Sequence, residues 1–197
     1  MKKNFIPLLV LFCLMMAACS ANTTAIPPTV ASATPRVTAE IKSLPTPVPS
    51  GQTITYNEFQ LTMKQAEITA GYLTDFGSTR EPTGGGEFLW IHLALKNIGA
   101  AEQRLPTADH FSVILDEVEL KPTYGHRLEH TDYTLLSDPL AAGEDVDAWL
   151  RFDIPAGTGL PDLTFAFLPE STQVSFGFSS ADYSWADHPI FLWDCAP

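Results

Sequence analysis

The chain has 197 residues, of which 23 are acidic and 11 are basic, and this excess of negative charge disfavours phosphate-rich partners such as nucleic acid. Residues 51–197 hold 22 of the acidic and seven of the basic residues, which leaves that part with 15 excess negative charges. Such a surface also disfavours direct docking on anionic lipid, whereas it suits solubility, divalent cations or basic protein partners.

The first residues have the three parts of a secretory signal peptide. Two lysines precede an apolar run from Phe5 to Met16, and small residues stand just before Cys19. The run is too short to cross a hydrocarbon core of about 30 Å as a finished helix. The Ala-Ala-Cys sequence resembles the lipoprotein class, which implies that Cys19 carries diacylglycerol and becomes the first mature residue. The alternatives are an ordinary secretory signal peptide cut near the same place and a buried N-terminal helix, which the Pro- and Thr-rich stretch after Cys19 disfavours.

We therefore predict a signal peptide over residues 1–18 and a lipid-anchored protein at the cell membrane or outer membrane, with its domain on the extracytoplasmic side. Residues 20–50 contain six prolines and no aromatic residue. Such a segment cannot bury enough apolar surface to offset the entropy lost on ordering. Residues 19–50 are thus predicted to be a disordered Pro/Thr-rich linker that holds the domain away from the membrane; a degradable or glycan-carrying stretch is the other interpretation.

The remaining residues show the patterns of short strands. A short opening strand is predicted at Thr53–Tyr56. The next strand, Phe59–Ile68, changes the phase of its alternation midway, which a bulge near Gln65 would produce. Phe88–Asn97 places four aliphatic residues on one face, and the Asn-Ile-Gly sequence at its end is typical of a turn. Its opposite face is partly apolar, which indicates that this face is also covered.

The later strands follow the same two-residue period. Phe111–Leu115 and Val118–Leu120 flank an Asp-Glu pair, which predicts a hairpin. Glu144–Ile154 alternates apolar and polar residues five times, which predicts a strand because a helix could not place these apolar residues on one side. The three aspartates of this strand predict that its outer face is solvated. Leu163–Leu168 and Val174–Phe178 complete the set. Seven to nine such strands without a helical window predict an all-β antiparallel sandwich.

Four motifs carry a resemblance to a known family. They are GEFLWI at residues 86–91, LKNIG at 95–99, LAAGE at 140–144 and LRFDIP at 150–155. The pattern resembles an uncharacterised immunoglobulin-like domain family, a domain of unknown function found in bacterial lipoproteins. The resemblance implies an immunoglobulin-like β-sandwich within residues 51–197. It implies little about function, because the motifs are structural.

The chain departs from that pattern in two long loops, Thr69–Gly85 and Pro122–Pro139, and in an aromatic C-terminal tail. Exposed aromatic residues are favoured at binding sites, so an interaction surface in the tail is one interpretation. The favoured interpretation is that the tail folds back as an extra strand, because a free patch of this size risks aggregation. The tail residues concerned are Tyr183, Trp185, Phe191 and Trp193.

One motif suggests a metal. His126, Glu129 and His130 match the H-x-x-E-H pattern of inverted zinc proteases, in which two histidines bind zinc and the glutamate activates water. That chemistry requires a helix, whereas proline, glycine and flanking strands surround the motif here. A solvated loop is therefore the favoured interpretation. An incidental metal site with Asp132 or His110 ranks next, and a hydrolase ranks last.

Cysteine usage excludes an internal disulfide. Cys13 leaves with the signal peptide and Cys19 is acylated, so Cys195 has no partner in the mature chain, and we expect it to be buried. The sequence as a whole predicts a non-enzymatic binding or interaction module of unknown ligand. It is tethered to a membrane through lipid, has no cofactor, and has an envelope or extracellular protein as its partner. The alternatives are a metal-dependent hydrolase at residues 126–130 and a structural envelope protein without a specific ligand.

Overall fold

The computed structural model describes residues 44–170 and 188–197, and within these ranges ten strands occur, eight of them in two antiparallel sheets of four strands each. The first sheet consists of β1 (Thr53–Tyr56), β2 (Phe59–Thr69), β5 (Glu87–Asn97) and β8 (Asp145–Ile154), in the order β1-β2-β5-β8. The second consists of β6 (Phe111–Leu115), β7 (Val118–Leu120), β9 (Leu163–Phe167) and β10 (Phe191–Asp194), in the order β10-β9-β6-β7.

Two further strands, β3 (Tyr72–Leu73) and β4 (Thr79–Arg80), form a small hairpin of their own. Among the described residues, the helical elements are single 3₁₀ turns at Thr83–Gly85, Ala108–His110, Tyr133–Leu135 and Leu160–Asp162. None of the helices in the described part of the chain has the length and apolar character needed to span a membrane.

The main core lies between the two sheets. Each strand turns one face inward, and removing that apolar surface from water stabilises the fold by about 25 cal/mol per Å². The core draws on both sheets through Leu89, Ile91, Leu93, Leu95, Ala148, Leu150 and Phe152 from the first and Phe111, Val113, Phe165, Phe167 and Trp193 from the second. The predicted antiparallel β-sandwich is confirmed.

Local irregularities also occur where the sequence predicts them. The pairing of β2 with β5 shifts register between Met63 and Gln65, which confirms the bulge. The β6–β7 turn places Asp116 at φ 48° and Glu117 at φ 65°. Two successive left-handed residues match the twist of a tight hairpin, so this predicted hairpin is confirmed as well. The strand predicted at Val174–Phe178 lies outside the described residues.

The C-terminal strand joins the second sheet. Residues 191–194 pair with β9, so the predicted folding back of the tail is confirmed for this part. Trp193 is fully buried, and its Nε1 donates to the backbone oxygen of Gln52 over 2.8 Å. Val48 is hydrogen-bonded to the strand on both sides of Trp193, at 2.8 and 2.9 Å. An isolated parallel bridge at Val48 therefore attaches the chain to the C-terminal strand ahead of β1.

The outer face of the first sheet carries a second, smaller core. Phe88 and Trp90 of β5 are 2% and 1% exposed because Tyr72 of β3 packs over them, with ring centroids 5.2 and 4.9 Å away. The long loop Thr69–Gly85 thus folds back across the sheet. The covering of this face, expected from its apolar residues, is confirmed.

Arg151 of β8 connects that face to the segments that cover it. The residue is 5% exposed, and its Nη1 donates to the hydroxyl of Tyr72 over 2.9 Å. Its Nε and Nη2 donate to Oγ1 of Thr123 over 3.0 and 2.8 Å, and the guanidinium lies 4.9 Å from the ring centre of Phe88. Asp153 supplies a carboxylate at 3.6 Å. One buried cation therefore binds both long loops.

Asn97, at the end of β5, organises the opposite end of the sandwich. Its side chain is fully buried, and Nδ2 donates to the backbone oxygens of Ala101, Leu140 and Ala141 at 2.8, 2.9 and 3.1 Å. Its Oδ1 accepts from the backbone nitrogen of Gly99 at 2.9 Å. The amide thereby joins the loop after β5 to the loop before β8.

We expect Asn97→Asp to lower the free energy of unfolding by about 3 kcal/mol, because a carboxylate of the same shape would face three carbonyl oxygens without a proton to donate. Urea denaturation of the full chain at pH 7 measures this change. Gln52→Glu is the matched control, since it makes the same amide-to-acid change at an exposed residue. Equal stabilities of the two variants would contradict the assigned role of Asn97.

Candidate functional site

The two long loops meet on the outer face of the first sheet and bind to each other there. Thr74 forms an antiparallel bridge with Arg127, and the backbone nitrogen of Leu128 donates to the oxygen of Leu73 over 2.9 Å. On the other side, the nitrogen of Thr123 donates to the backbone oxygen of Arg151 over 2.7 Å. The segment 123–128 is thus held between the β3–β4 hairpin and β8.

Residues within this segment alternate between the sheet and the solvent. Gly125 faces the sheet so closely that a Cβ there would lie 2.9 Å from Cδ of Arg151 and 3.0 Å from the indole of Trp90. Arg127 also faces inward, with its guanidinium 5.1 Å from the ring centre of Trp90 and an ion pair to Glu67. A residue larger than glycine at 125 would therefore require the side chain of Arg151 or Trp90 to shift.

The outward side of the two loops forms an exposed apolar surface, which we call the aromatic patch. It consists of Leu73, Phe76, Tyr124, His126 and Leu128. Phe76 is 82% exposed, and the other three hydrophobic members are between 45% and 51% exposed. Eight large hydrophobic residues are exposed in the described part of the chain, and four of them lie in this patch. Contiguous apolar surface of this kind marks interaction sites.

His126 lies at the centre of the aromatic patch and orders it. Its ring contacts Phe76 and Tyr124 edge to face, with centroids 5.6 and 4.6 Å away. Its Nδ1 lies 3.2 Å from a carboxylate oxygen of Asp75, in the turn that carries Phe76. These contacts connect aromatic groups from both loops to one another.

A histidine–tryptophan cluster lies beside the aromatic patch. His92 stacks on Trp149, with centroids 4.4 Å apart and planes within 7°. His130 approaches the same indole at 4.3 Å with a tilt of 42°, and it contacts Trp90 at 5.8 Å. The cluster therefore joins β5 and β8 to the segment that carries the patch.

Burial controls the charge of both imidazoles. Desolvation lowers the pKa of His92, even though Nε2 lies 3.3 Å from the Asp147 carboxylate, which also takes Lys64 Nζ at 2.5 Å. Desolvation likewise lowers the pKa of His130, and the neighbouring Arg127 lowers it further. Both rings are therefore neutral at pH 7, which suits stacking against an indole.

The structure separates the residues of the proposed metal motif. The segment is not helical, and Glu129 has φ 65° in a turn. His126 faces Phe76 and Tyr124, whereas His130 faces the tryptophans. In residues 44–170 and 188–197, no group of three His, Cys, Asp or Glu side chains could hold a metal ion. The helical geometry that the zinc-protease pattern needs is absent, and nothing in the arrangement suggests catalysis.

Two other residues weighed as ligands have structural partners. Asp132 accepts from the backbone nitrogens of Gly125 and Thr134, both at 2.8 Å, and so closes the loop that carries the motif. His110 Nδ1 lies 3.0 Å from the hydroxyl of Thr107. These hydrogen bonds account for the positions of both side chains without a metal ion.

The remaining candidates lie in the core or outside the described residues. Trp193 is fully buried and Phe191 is half-buried, so the C-terminal strand is a packing element in this structure. Tyr183, Trp185 and Cys19 lie outside the described residues. Cys195 is buried as predicted, and burial raises the pKa of its thiol to about 12, which removes the thiolate at neutral pH.

The sequence interpretation missed Phe76, Tyr124 and Leu128. A signal was available, because all three lie in the two loops that exceed the family pattern. Loop length cannot say whether an aromatic residue faces the sheet or the solvent. That choice depends on contacts between segments about 50 residues apart in the chain, such as the bridge from Thr74 to Arg127.

Comparisons with known proteins bear on the fold. A family model described as a domain of unknown function (DUF4352) matches residues 48–172. Curated protein sequences gave no match. The family match confirms the resemblance that the sequence motifs indicated.

Solved structures with similar folds come from several bacteria. The yjhA protein of Bacillus subtilis has 17% sequence identity and a TM-score of 0.51, over 75% of this chain and 98% of that one. An uncharacterised β-sandwich protein of Clostridium difficile 630 has 12% identity and a TM-score of 0.46, over 77% and 96%. A secreted protein of Mycobacterium tuberculosis, MPT63, has 11% identity and a TM-score of 0.41, over 77% and 98%.

The histidine–tryptophan cluster predicts a loss of stability in mild acid. In the unfolded chain both imidazoles titrate near their ordinary pKa of about 6.5, whereas the folded chain lowers the pKa of each. Below about pH 6.5 the unfolded state binds more protons, so the free energy of unfolding falls as the pH falls towards the folded-state values, and above that pH this loss is absent.

We expect the double variant His92→Gln, His130→Gln to lose less stability than the native chain between pH 7.5 and 5. Urea midpoints measured across this range give the two slopes. Val118→Ser, which changes an exposed residue on the β6–β7 hairpin without altering a titratable group, is the control and should keep the native slope. Identical slopes for the native chain and the double variant would show that the cluster does not contribute.

Proposed function

The chain belongs to the DUF4352 family, a domain of unknown function, and from this premise we propose that it is a lipid-anchored extracytoplasmic module that binds a protein partner through the aromatic patch. The observation that carries the proposal is the exposure of Phe76, at 82%, among three further exposed hydrophobic residues. Fold-level similarity contributes nothing to the choice of function, because a β-sandwich serves many.

Energetics favour a binding role for the aromatic patch. Burying one large apolar side chain is worth about 1.5–3 kcal/mol, so leaving several in water gives up stabilisation that a partner could recover. Aromatic anchors of this kind dominate the affinity of many interfaces. The contacts of His126 fix Phe76 and Tyr124 in advance, which reduces the entropy lost on binding.

Charge selects the class of partner. With 22 acidic and seven basic residues in 51–197, the domain repels anionic lipid, nucleic acid and a second copy of itself. Asp75 and Glu129 lie in the loops that form the patch, so they add negative charge at its margin. We therefore propose an envelope or extracellular protein with an apolar recess and a basic rim.

The anchor and the linker complete the proposal. Acylation of Cys19 by two or three chains would hold the protein at a membrane, whereas one chain alone binds only marginally. The six prolines of residues 20–50 favour an extended tether of about 3.1 Å per residue. A tethered module meets partners in the same envelope at a high effective concentration, which compensates for moderate affinity.

We expect Phe76→Ser to reduce recovery of one stoichiometric partner at least tenfold in affinity capture from envelope extract, because the variant removes the largest exposed apolar group of the patch. Val118→Ser, which changes an exposed apolar residue on the β6–β7 hairpin, is the matched control and should retain the partner. If the native chain and Phe76→Ser recover the same proteins equally, the patch is not the binding surface. A purely structural envelope role would give that result.

The anchor is tested separately. We expect Cys19→Ala to move the protein from the membrane fraction to the soluble extracytoplasmic fraction, since no lipid can then be attached, and immunoblotting of separated fractions measures this. Cys13→Ala makes the same change within the apolar run of the signal peptide and should leave the protein in the membrane fraction. Retention of the Cys19→Ala protein in the membrane would rule out this residue as the anchor.

A further inference from the structure

The side chain of His130 attaches the end of the aromatic patch to the first sheet. His130 follows two residues after Leu128, and its backbone nitrogen donates to the oxygen of Arg127 over 3.0 Å, which closes a turn over residues 127–130. The half-buried imidazole lies 4.3 Å from the ring of Trp149 and 5.8 Å from that of Trp90, measured between centroids. The ring is thus one of the contacts that hold this turn against the sheet.

The hydrogen bonding of His130 determines where a second proton would bind. Its Nδ1 lies 3.1 Å from the backbone oxygen of Leu128, and since a carbonyl oxygen can only accept, Nδ1 carries the proton of the neutral ring. An added proton therefore binds at Nε2. Among the described residues, Nε2 has neither a hydrogen bond nor an ion pair. Protonation would thus create a charged N–H group that has no acceptor in this part of the protein.

The charged groups around His130 oppose its protonation. Burial lowers the pKa of His130, and the guanidinium of Arg127 and the imidazole of His92 lower it further. The Glu67 carboxylate acts in the opposite direction, but it is already paired with Arg127. His92 is in a different position, because its Nε2 lies 3.3 Å from the carboxylate of Asp147. A proton on His92 is therefore matched by a nearby acid, whereas a proton on His130 is not.

We propose that His130 is an acid-sensitive attachment of the aromatic patch. When the imidazole gains a proton in mild acid, it leaves the two indoles, and the turn 127–130 separates from the first sheet. The turn carries Leu128 and follows directly on His126, so its separation breaks up the aromatic patch. Release of a bound partner in mild acid is the consequence for function, and this last step rests on the proposed function.

The main core lies on the other face of the strands that contact His130. Leu93 and Leu150, which follow His92 and Trp149 in the chain, face the space between the two sheets and are almost fully buried. Local opening of a surface segment costs less free energy than unfolding of the whole domain. The turn therefore separates in acid while the sandwich remains folded.

Amide hydrogen exchange of the full chain at pH 7.5 and pH 5, corrected for the intrinsic exchange rate at each pH, tests the inference. The amides of Leu128 and His130 donate to the backbone oxygens of Leu73 and Arg127, so their protection reports whether the turn is attached. We expect their protection to fall at pH 5 by about tenfold more than that of Leu93 in β5. An equal change at all three amides would overturn the inference.

Two ring substitutions test whether His130 is the responsible group. His130→Phe keeps an aromatic ring against the indoles but cannot gain a proton, so it should remove the selective loss of protection at pH 5. His92→Phe is the matched control and should keep the loss, because the charge of His92 has a partner in Asp147. Urea midpoints at pH 7.5 show that the variants are folded, and His130→Gln replaces His130→Phe if that variant does not fold.

A selective loss in His130→Phe as large as in the native chain would also overturn the inference. Exchange is measured without a partner, so a negative result leaves the proposed function standing. The capture experiment with Phe76→Ser tests that function at neutral pH, where the turn is attached.

Discussion

Arg151 places a full positive charge where only 5% of the residue is exposed, and the outer face of the sandwich is arranged around it. A buried charge that loses a partner destabilises a protein by about 3–5 kcal/mol. Here the partners are Tyr72 and Thr123, which come from the two long loops. A loop that left the sheet would take away its hydrogen bond to the guanidinium while the other loop still covered the charge. The two loops, and the aromatic patch they present, therefore stabilise each other's position on the sheet.

Much of the fold follows from local pattern, because burial on one face of a strand repeats every two residues along the chain. The inward faces of β5 and β8, the bulge near Gln65 and the β6–β7 hairpin are all predictable for this reason. The outer face of β8 is different. Its aspartates indicate solvent, yet Trp149 and Arg151 on that same face are covered by segments distant in the sequence. The alternation of apolar and polar residues indicates which residues share a face of the strand, but it does not indicate which other segments cover that face.

The roles of the site residues were less predictable than the fold, because the backbone conformation decides which neighbours each side chain faces. His126 and His130 would share one side of a helix, where two imidazoles can bind the same ion. In an extended segment that turns at Glu129 they instead face different neighbours. One becomes the centre of an apolar surface, and the other stacks on an indole. The same two histidines could thus bind one metal ion in a helix, whereas in the extended segment they pack against different aromatic residues.

The pairing of Val48 with the C-terminal strand has a mechanical consequence. Within the described residues, a pull on the chain from its N-terminal side first meets a strand pairing at Val48, whose two hydrogen bonds lie on either side of Trp193. Trp193 is fully buried and is itself bonded to Gln52, so the load passes directly into the core. A domain loaded at this point resists force through its C-terminal strand and through the buried indole that this strand carries.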